Sequence, residues 1–392
     1  MYTLSSVARS LFESYAGFRL DHLSPASCVH ARLCVELDIL VKSGNGLMTH
    51  REIGRSIEGR SINLVTVGSG PQNVMLWSQM HGDESTATLA LLDILHFFTR
   101  EHRLPWVAET LRSLSIHCIP MVNPDGAERR KRHNAVGIDI NRDARAMVSP
   151  EAQVLRDIHR KIAPGFAFNL HDQELRSAGN APRVAALALL APPLDEERSV
   201  SPTRLRAMRI CALITKALQP YIPGHITRYD DVYEPRAFGD LYQSLGTSTL
   251  LIESGHWPQD PEKAAIRKLN VVAILSGLWS IAGGAYEDAD LDLYTNLPCN
   301  GKQIFDLLIR GLELRHPGGW TGPADLGVLF ARHSDRAIIK EIGDLQMYGG
   351  LEVHTLRNRF LPPELTNIDG IVQRQAIYDL LQIYTASSAP RS

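Results

Sequence analysis

"NVMLWSQMHGDESTATLALLDILHFFTREH", from Asn73 to His102, is the junction on which the fold turns. Its first part, Asn73 to Met80, is a short and nearly unbroken apolar run, the pattern of a buried strand. Its last part, Ser85 to His102, is apolar on most faces with Ser85 near the start, so a well-buried helix is expected. Only His81, Gly82, Asp83 and Glu84 stand between them. A buried strand running straight into a buried helix is the unit of an α/β layer.

The same alternation extends in both directions. Residues 1 to about 45 carry apolar positions at helical spacing in "SSVARSLFESYAGF" and "VHARLCVELDILVKSG", which predicts a helical N-terminal extension packed on the main domain. "REIGRSIEGRSINLVTVGSG" (Arg51 to Gly70) reads as two short strands with Gly-containing turns. After the junction come a strand and turn in "LRSLSIHCIPMVNPDG", a helix over Ser149 to Ile162, and strands "FAFNL" (Phe166 to Leu170) and "VAALALL" (Val184 to Leu190). A helix from Pro202 to Leu218, strand "TSTLLIE" (Thr247 to Glu253) and a helix from Asp260 to Ile281 complete the series. The expected core is a mixed, mostly parallel sheet with helices on both faces, over 46–285. Beyond about Ala285 the chain is turn-rich with short strand-like runs, which predicts a small β-rich C-terminal module over 286–392.

Composition narrows the classes. Apolar residues make up 44% and charged residues 21% of the 392 positions, so neither a disordered chain nor a membrane protein is indicated. Lys plus Arg number 41 against 43 Asp plus Glu, and a net charge of -2 makes no field that would draw the chain to nucleic acid. The 5 cysteines are scattered and lack CxxC spacing, which disfavours a disulfide framework or a cysteine-rich zinc site. The N-terminus has no long apolar core after a basic start, and no window approaches a membrane span, so a cytoplasmic setting is expected.

His81 and Glu84 sit where a buried strand ends, and in open α/β sheets sites gather at the carboxyl ends of strands. HxxE alone also fits a surface turn, so a metal reading needs a third ligand. "FNLHDQE" offers His171 after another short apolar strand, with Asp172 and Glu174 as rival ligands. Two histidines and a glutamate with an open fourth position form a known catalytic zinc set. Glu253, in "TLLIESGH", ends a further apolar strand and is suited to take the proton of an activated water, or else to cap the next segment or pair with a basic residue.

"NPDGAERRKRHNAVGIDINRD" (Asn123 to Asp143) is the most informative stretch. NPDG by itself is a turn. The basic run "ERRKRH" by itself is a solvated face, but Arg132, Asn141 and Arg142 add forked guanidinium donors and an amide suited to a carboxylate and an oxyanion. The run therefore reads partly as an anion site. Within HGDE, Gly82 is expected to let the chain turn sharply and Asp83 to be a bystander.

HxxE, NPDG, RxNxxGxDxNR, a histidine after a strand and a glutamate after a later strand follow one another between about Arg51 and Gly283. In this order they resemble the zinc metallocarboxypeptidases of the carboxypeptidase A type. The resemblance implies one Zn2+ per chain held by His81, Glu84 and His171, with Asp139 bonded to the outer nitrogen of His81. It implies that Asn141 and Arg142 grip the substrate's terminal carboxylate, that Arg132 stabilises the oxyanion, and that Glu253 is the general base and acid. The family's mobile tyrosine has three candidates, Tyr229, Tyr233 and Tyr242, of which Tyr233 is favoured. Specificity in the family is set before the catalytic glutamate, so Asp240 in "RAFGDLYQSLG" either prefers a basic side chain or caps a helix. "DQ" after His171 suggests a bacterial-type branch, and the β-rich tail resembles accessory modules of some branches.

The implied activity is hydrolysis of the C-terminal amide bond of a peptide or amino-acid conjugate bearing a free carboxylate. The alternative is a zinc amidohydrolase resembling the aspartoacylases and succinylglutamate desuccinylases, which act on N-acyl amino acids. The full RxNxxGxDxNR pattern after NPDG favours the carboxypeptidase reading. A third class, a non-catalytic protein that binds carboxylate tails, would be marked by loss of a ligand or of the glutamate. No nucleic-acid or membrane partner is expected, and the oligomeric state is left open.

Overall fold

The apolar run at the junction forms a central strand of an eight-stranded sheet. In chain order the strands are β1 (Met48–Arg55), β2 (Ser61–Val67), β3 (Gln72–Ser78), β4 (Leu114–Ile119), β5 (Phe166–Asp172), β6 (Leu187–Leu190), β7 (Ile226–Arg228) and β8 (Ser248–Ser254). Their order across the sheet is β1-β2-β4-β3-β5-β8-β6-β7. The middle is parallel, with β3 between β4 and β5 and β8 beyond β5, while β1, β2 and the β6 to β8 pairing add antiparallel contacts. Val74, Met75, Leu76 and Trp77 are fully buried, as helices on both faces require.

The structure, a computed structural model, describes residues 2–315, 318–331 and 334–386. Met1 and residues 387–392, the outer ends of the two expected flanking segments, lie outside the described residues. Contacts divide the chain into two units. Residues 1–174, 186–256 and 262–300 make the first; residues 175–185, 257–261 and 301–392 make the second.

In the first unit the helices are α1 (Leu4–Ser14), α2 (His30–Ser43), α3 (Thr86–Glu101), α4 (Pro105–Ser113), α5 (Pro124–Arg129), α6 (Pro150–Ile162), α7 (Pro202–Leu218), α8 (Phe238–Ser244) and α9 (Ala264–Ala282). One apolar cluster joins β2, β3 and β5 to α6 and α8 through Leu64, Trp77, Ala167, Leu155, Phe238 and Tyr242. Other helices, α1, α3, α4 and α7, pack around α9. This corrects one expectation: α9 is long and apolar enough to cross a membrane by length and composition. Its apolar faces have another cause, since 78% of its most apolar window is buried inside the protein, as in a core helix.

The N-terminal helices are tied to that core by a buried ion pair. Arg267 on α9 donates through Nε to Asp93 on α3 at 2.7 Å, and to the carbonyls of Leu23 and Leu20. Asp93 also accepts from the Tyr15 hydroxyl and the Leu20 amide. Burial first, and the Asp93 carboxylate second, raise the Tyr15 hydroxyl far above its ordinary range. A buried pair of this kind loses about 3–5 kcal/mol when one partner is removed, because the other charge is stranded.

Two sequence expectations shift in extent. The strand read as Val184 to Leu190 begins only at Leu187, because Val184 instead bridges to Ser177. The last long helix starts at Ala264, after Lys263 takes a left-handed conformation (φ 52°). In the second unit, strands β9 (Ile304–Arg315), β10 (Thr321–Phe330), β11 (Arg336–Gly343), β12 (Gly349–Phe360) and β13 (Ile371–Gln373) form a sheet in the order β12-β9-β10-β11-β13. The β-rich character is as read, but a helix, α10 (Arg374–Ala386), joins its core through Ile377 and Leu381.

Candidate active site

The carboxyl ends of β3 and β5 bring the expected ligands together. His81, Glu84 and His171 are all buried, and one ligand atom from each lies within 4.8 Å of the others. Glu84 sits between the two rings: His81 Nδ1 is 2.8 Å from its Oε1, and His171 Nδ1 is 3.0 Å from its Oε2. The Asp172 amide also donates to Oε2, at 3.1 Å. Two imidazole nitrogens and a carboxylate facing one point are the donor set of a catalytic zinc site, so the residues fit the metal.

The outer nitrogen of His81, Nε2, is 3.1 Å from Asp139 Oδ1, as the resemblance implies. That contact leaves Nδ1 for the metal. Asp139 Oδ1 also accepts from the Asn141 amide, which starts the short 3-10 turn Ile140–Arg142. Burial alone would lower His81, but Glu84 and Asp139 outweigh it and hold its conjugate acid up to about 9. Burial alone would raise Glu84, and the two imidazoles reverse this, keeping its carboxyl well below the usual range. His171 is lowered by burial, against the pull of Glu84.

The chain does turn tightly at Gly82, the Glu84 amide closing on the His81 carbonyl at 3.1 Å, and close packing adds a second reason for glycine there. A Cβ there would lie 2.0 Å from the Gly126 carbonyl carbon, so a bare backbone lets the HGDE loop pack on α5. The left-handed residue is Gln79 (φ 51°), one step after β3. NPDG is also more than a turn. Asn123 caps α5 by accepting from the Gly126 amide, while its Nδ2 donates to the carbonyls of Met80 and Arg132. Asp125, fully buried, accepts from Ser56, the Glu58 amide and Arg60. Asn123 therefore ties the loop carrying Arg132 to the residues just after β3, and Asp125 ties α5 to the turn between β1 and β2.

Of the basic run, Arg132 alone among the described pairings reaches the ligands. It donates through Nε to Asp139 at 3.0 Å and through Nη1 to Glu84 at 3.4 Å. Arg129 pairs with Glu58, and Arg130 donates to the Ala26 carbonyl, both away from the metal ligands. Asn141 has its amide fixed: Oδ1 accepts from the Phe238 amide at 3.1 Å, and Nδ2 lies 3.4 Å from His171 Nε2. Arg142 donates to the Asn141 carbonyl at 2.8 Å and faces Glu234 at 3.5 Å.

Glu253 is the register partner of His171 on the adjacent parallel strand. Register partners project to the same face of a sheet, so the Glu253 carboxyl belongs to the same strand ends as the ligands, and it is buried. The rival ligands separate from the set. Asp172 accepts from Thr86 at 2.6 Å and from Lys263 at 3.1 Å, and Glu174 is exposed. Lys263, which had no local signal in the sequence, thereby braces a residue whose own amide holds Glu84.

The tyrosine candidates also sort. Tyr242 is a core residue, fully buried with its hydroxyl donating to the Leu155 carbonyl, so it is not free to cover a substrate. Tyr229 and Tyr233 are half-buried. Asp240 lies in the first turn of α8, but its carboxyl accepts from the Glu234 amide at 3.0 Å, which fixes the preceding loop. Burial first, and nearby Glu234, push its carboxyl up to about 6. Glu234 and Arg236, unmarked by any motif, complete the site's rim.

Comparison with known proteins agrees with this geometry. Residues 35–167 match the sequence profile of the zinc carboxypeptidases, a stretch that holds His81, Glu84, Arg132, Asp139, Asn141 and Arg142 but ends before His171. An uncharacterized protein of Zymomonas mobilis is 32% identical over 138 residues, 34% of this chain and 35% of that one. Carboxypeptidase 2 of Trichophyton rubrum is 25% identical over 139 residues, 33% of this chain and 26% of that one. The aligned part thus spans about a third or less of these curated relatives. Among solved structures, a metallo-carboxypeptidase from Burkholderia cenocepacia superposes with a TM-score of 0.53 at 19% identity, covering 65% of this chain and 69% of that one. Carboxypeptidase A from Helicoverpa armigera gives 0.51 at 17% identity, covering 71% and 80%. These two show the fold, and in this chain its strands β3 and β5 carry the ligands while β8 carries Glu253. Residues 35–167 are thus similar in sequence to the zinc carboxypeptidases, and the sheet built around them shares the fold of the metallo-carboxypeptidase from Burkholderia cenocepacia.

Proposed function

We propose that the protein is a zinc-dependent exopeptidase that hydrolyses the C-terminal amide bond of a peptide or amino-acid conjugate. The observation that carries this is the pairing of Glu253 with His171 across β8 and β5, beside the His81 and Glu84 pair. Zinc held by His81, Glu84 and His171 would supply a Lewis acid and a water of lowered pKa. Glu253 accepts the water's proton as the carbonyl carbon is attacked, and returns it to the leaving amine. Arg132 leaves Asp139 in part to donate to the developing oxyanion. Asn141 and Arg142 hold the terminal carboxylate and so set which bond meets Glu253. Tyr233, half-buried on the loop before α8, covers the bound terminal residue.

The test is to incubate zinc-loaded protein with peptides and N-acyl amino acids and identify products by mass spectrometry, beside chelated protein and Glu253→Gln. Release of C-terminal residues by the zinc form alone is the expected result. Release of small acyl groups would instead make it an amidohydrolase of the desuccinylase kind. Ligand binding without turnover would make it a carboxylate-binding protein, and a fully active Glu253→Gln would remove Glu253 from the mechanism.

A further inference from the structure

Arg142, assigned above to the substrate carboxylate, already faces a carboxylate of this chain. Glu234 Oε2 lies 3.5 Å from Arg142 Nε, with the two side chains 27% and 41% exposed. The other side of Glu234 is gripped by Arg236, whose Nε and Nη2 donate to its two oxygens at 2.8 and 2.6 Å. Hydrogen bonds from Arg236 first, with Arg142 contributing, keep Glu234 ionised, its carboxyl lowered to about 2.

The segment is fastened over the Asn141 and Arg142 turn rather than merely near it. Phe238 donates its amide to Asn141 Oδ1, and the Ala144 amide donates to the Arg236 carbonyl at 3.0 Å. Asp240 holds the Glu234 amide, and the Ala237 amide closes back on the Glu234 carbonyl. These bonds fix the backbone on both sides of Glu234 and aim its side chain at the guanidinium.

We propose that Glu234 is a resident anion that competes with the substrate's terminal carboxylate for Arg142, and that Arg236 sets how strongly it competes. This rests on reading Arg142 as the carboxylate-binding residue. A carboxylate entering at Arg142 comes within a few ångströms of a like charge, so its affinity is lower than the guanidinium alone would provide. Arg236 draws Glu234 away from Arg142 and limits that penalty. The device makes Glu234 a specificity-determining residue: it weakens every free-acid ligand and leaves amide-terminated ligands unaffected.

The test is calorimetric binding of N-acetylglycylphenylalanine and N-acetylglycylarginine, each as free acid and as amide, to zinc-loaded Glu253→Gln protein, alone and with Glu234→Gln, Glu234→Ala or Arg236→Gln added, so that no ligand is consumed. Because the Arg142 pair is partly solvent-exposed, Glu234→Gln and Glu234→Ala should bind both acids about two- to fivefold more tightly, with amide binding unchanged. Arg236→Gln should shift the acids the opposite way, since Glu234 is then left to Arg142. Acid binding that is equal or weaker in both Glu234 variants overturns the proposal, as does an equal gain for acids and amides. Binding is read without turnover, so an absence of hydrolysis would refute the peptidase reading while leaving the comparison of acid with amide intact.

Discussion

The metal end of the site and the proposed carboxylate end are built by different means. His81, Glu84 and His171 are 2–3% exposed and sit at or just beyond the ends of strands whose register is set by the sheet. Arg132 and Arg142 are each 41% exposed at the side chain and ride on loops, held by exchangeable pairs with Asp139 and Glu234. The first end has one arrangement because moving a ligand means breaking the sheet. The second can trade partners, as the proposed binding and release of a substrate would require. A buried, fully partnered cluster makes each residue costly to remove, whereas exposed ion pairs are individually worth little.

Four measurements test that contrast. The largest effect is expected from Glu253→Gln, which should lower turnover by about 10²–10⁴ with zinc content unchanged, as for loss of a general base. Equal turnover would remove Glu253 from the chemistry. Asp139→Ala should weaken zinc about 10- to 100-fold in a competitive chelator titration, since it removes the partner that orients His81. If affinity held, Asp139 would matter only to Arg132.

The third concerns the dry floor beneath the carboxylate end. His159 donates to or accepts from Thr247 at 2.8 Å and stacks on Tyr242 of α8 at 4.0 Å. Burial lowers it from 6.5 to about 4. The unfolded chain therefore takes up this proton first, and stability present above pH 6.5 is lost as pH falls toward 4. Thermal unfolding between pH 7.5 and 5 should show a loss of about 2 kcal/mol from this residue, absent in His159→Gln. The smallest effect is expected from Arg142→Gln. It should raise KM for free-acid substrates about fivefold, on the scale of an exposed pair, without changing zinc affinity. A loss as large as that of Glu253→Gln would mean that the two ends are one rigid unit.

Much of the site was legible because its residues lie in short local patterns. HGDE follows an apolar run, and Asp139, Asn141 and Arg142 fall within one turn, so spacing alone brings them together. The buried strands β3, β5 and β8 were legible for the same reason, as runs too apolar to face water. Other residues left no such trace. Lys263 meets Asp172 across 91 positions, and Glu234 meets Arg142 only because the loop before α8 is laid over that turn. Tyr242 shows the opposite case: its place in the sequence left it one of three candidates for a substrate cover, and packing against Trp77 and His159 reveals a core residue. Arg374–Ala386 falls within a β-rich reading because its helical run is short and its apolar residues pack into a cluster made mostly by strand residues.

By itself the sequence determined the strands, the long helices, the donor set of the metal and the guanidinium pattern, all properties of neighbours along the chain. Tertiary structure alone decided which carboxylate each arginine faces, why Gly82 must lack a side chain, and that Glu253 stands beside His171. Those depend on strand order and register, and hydrogen bonds between distant strands are not written in local periodicity.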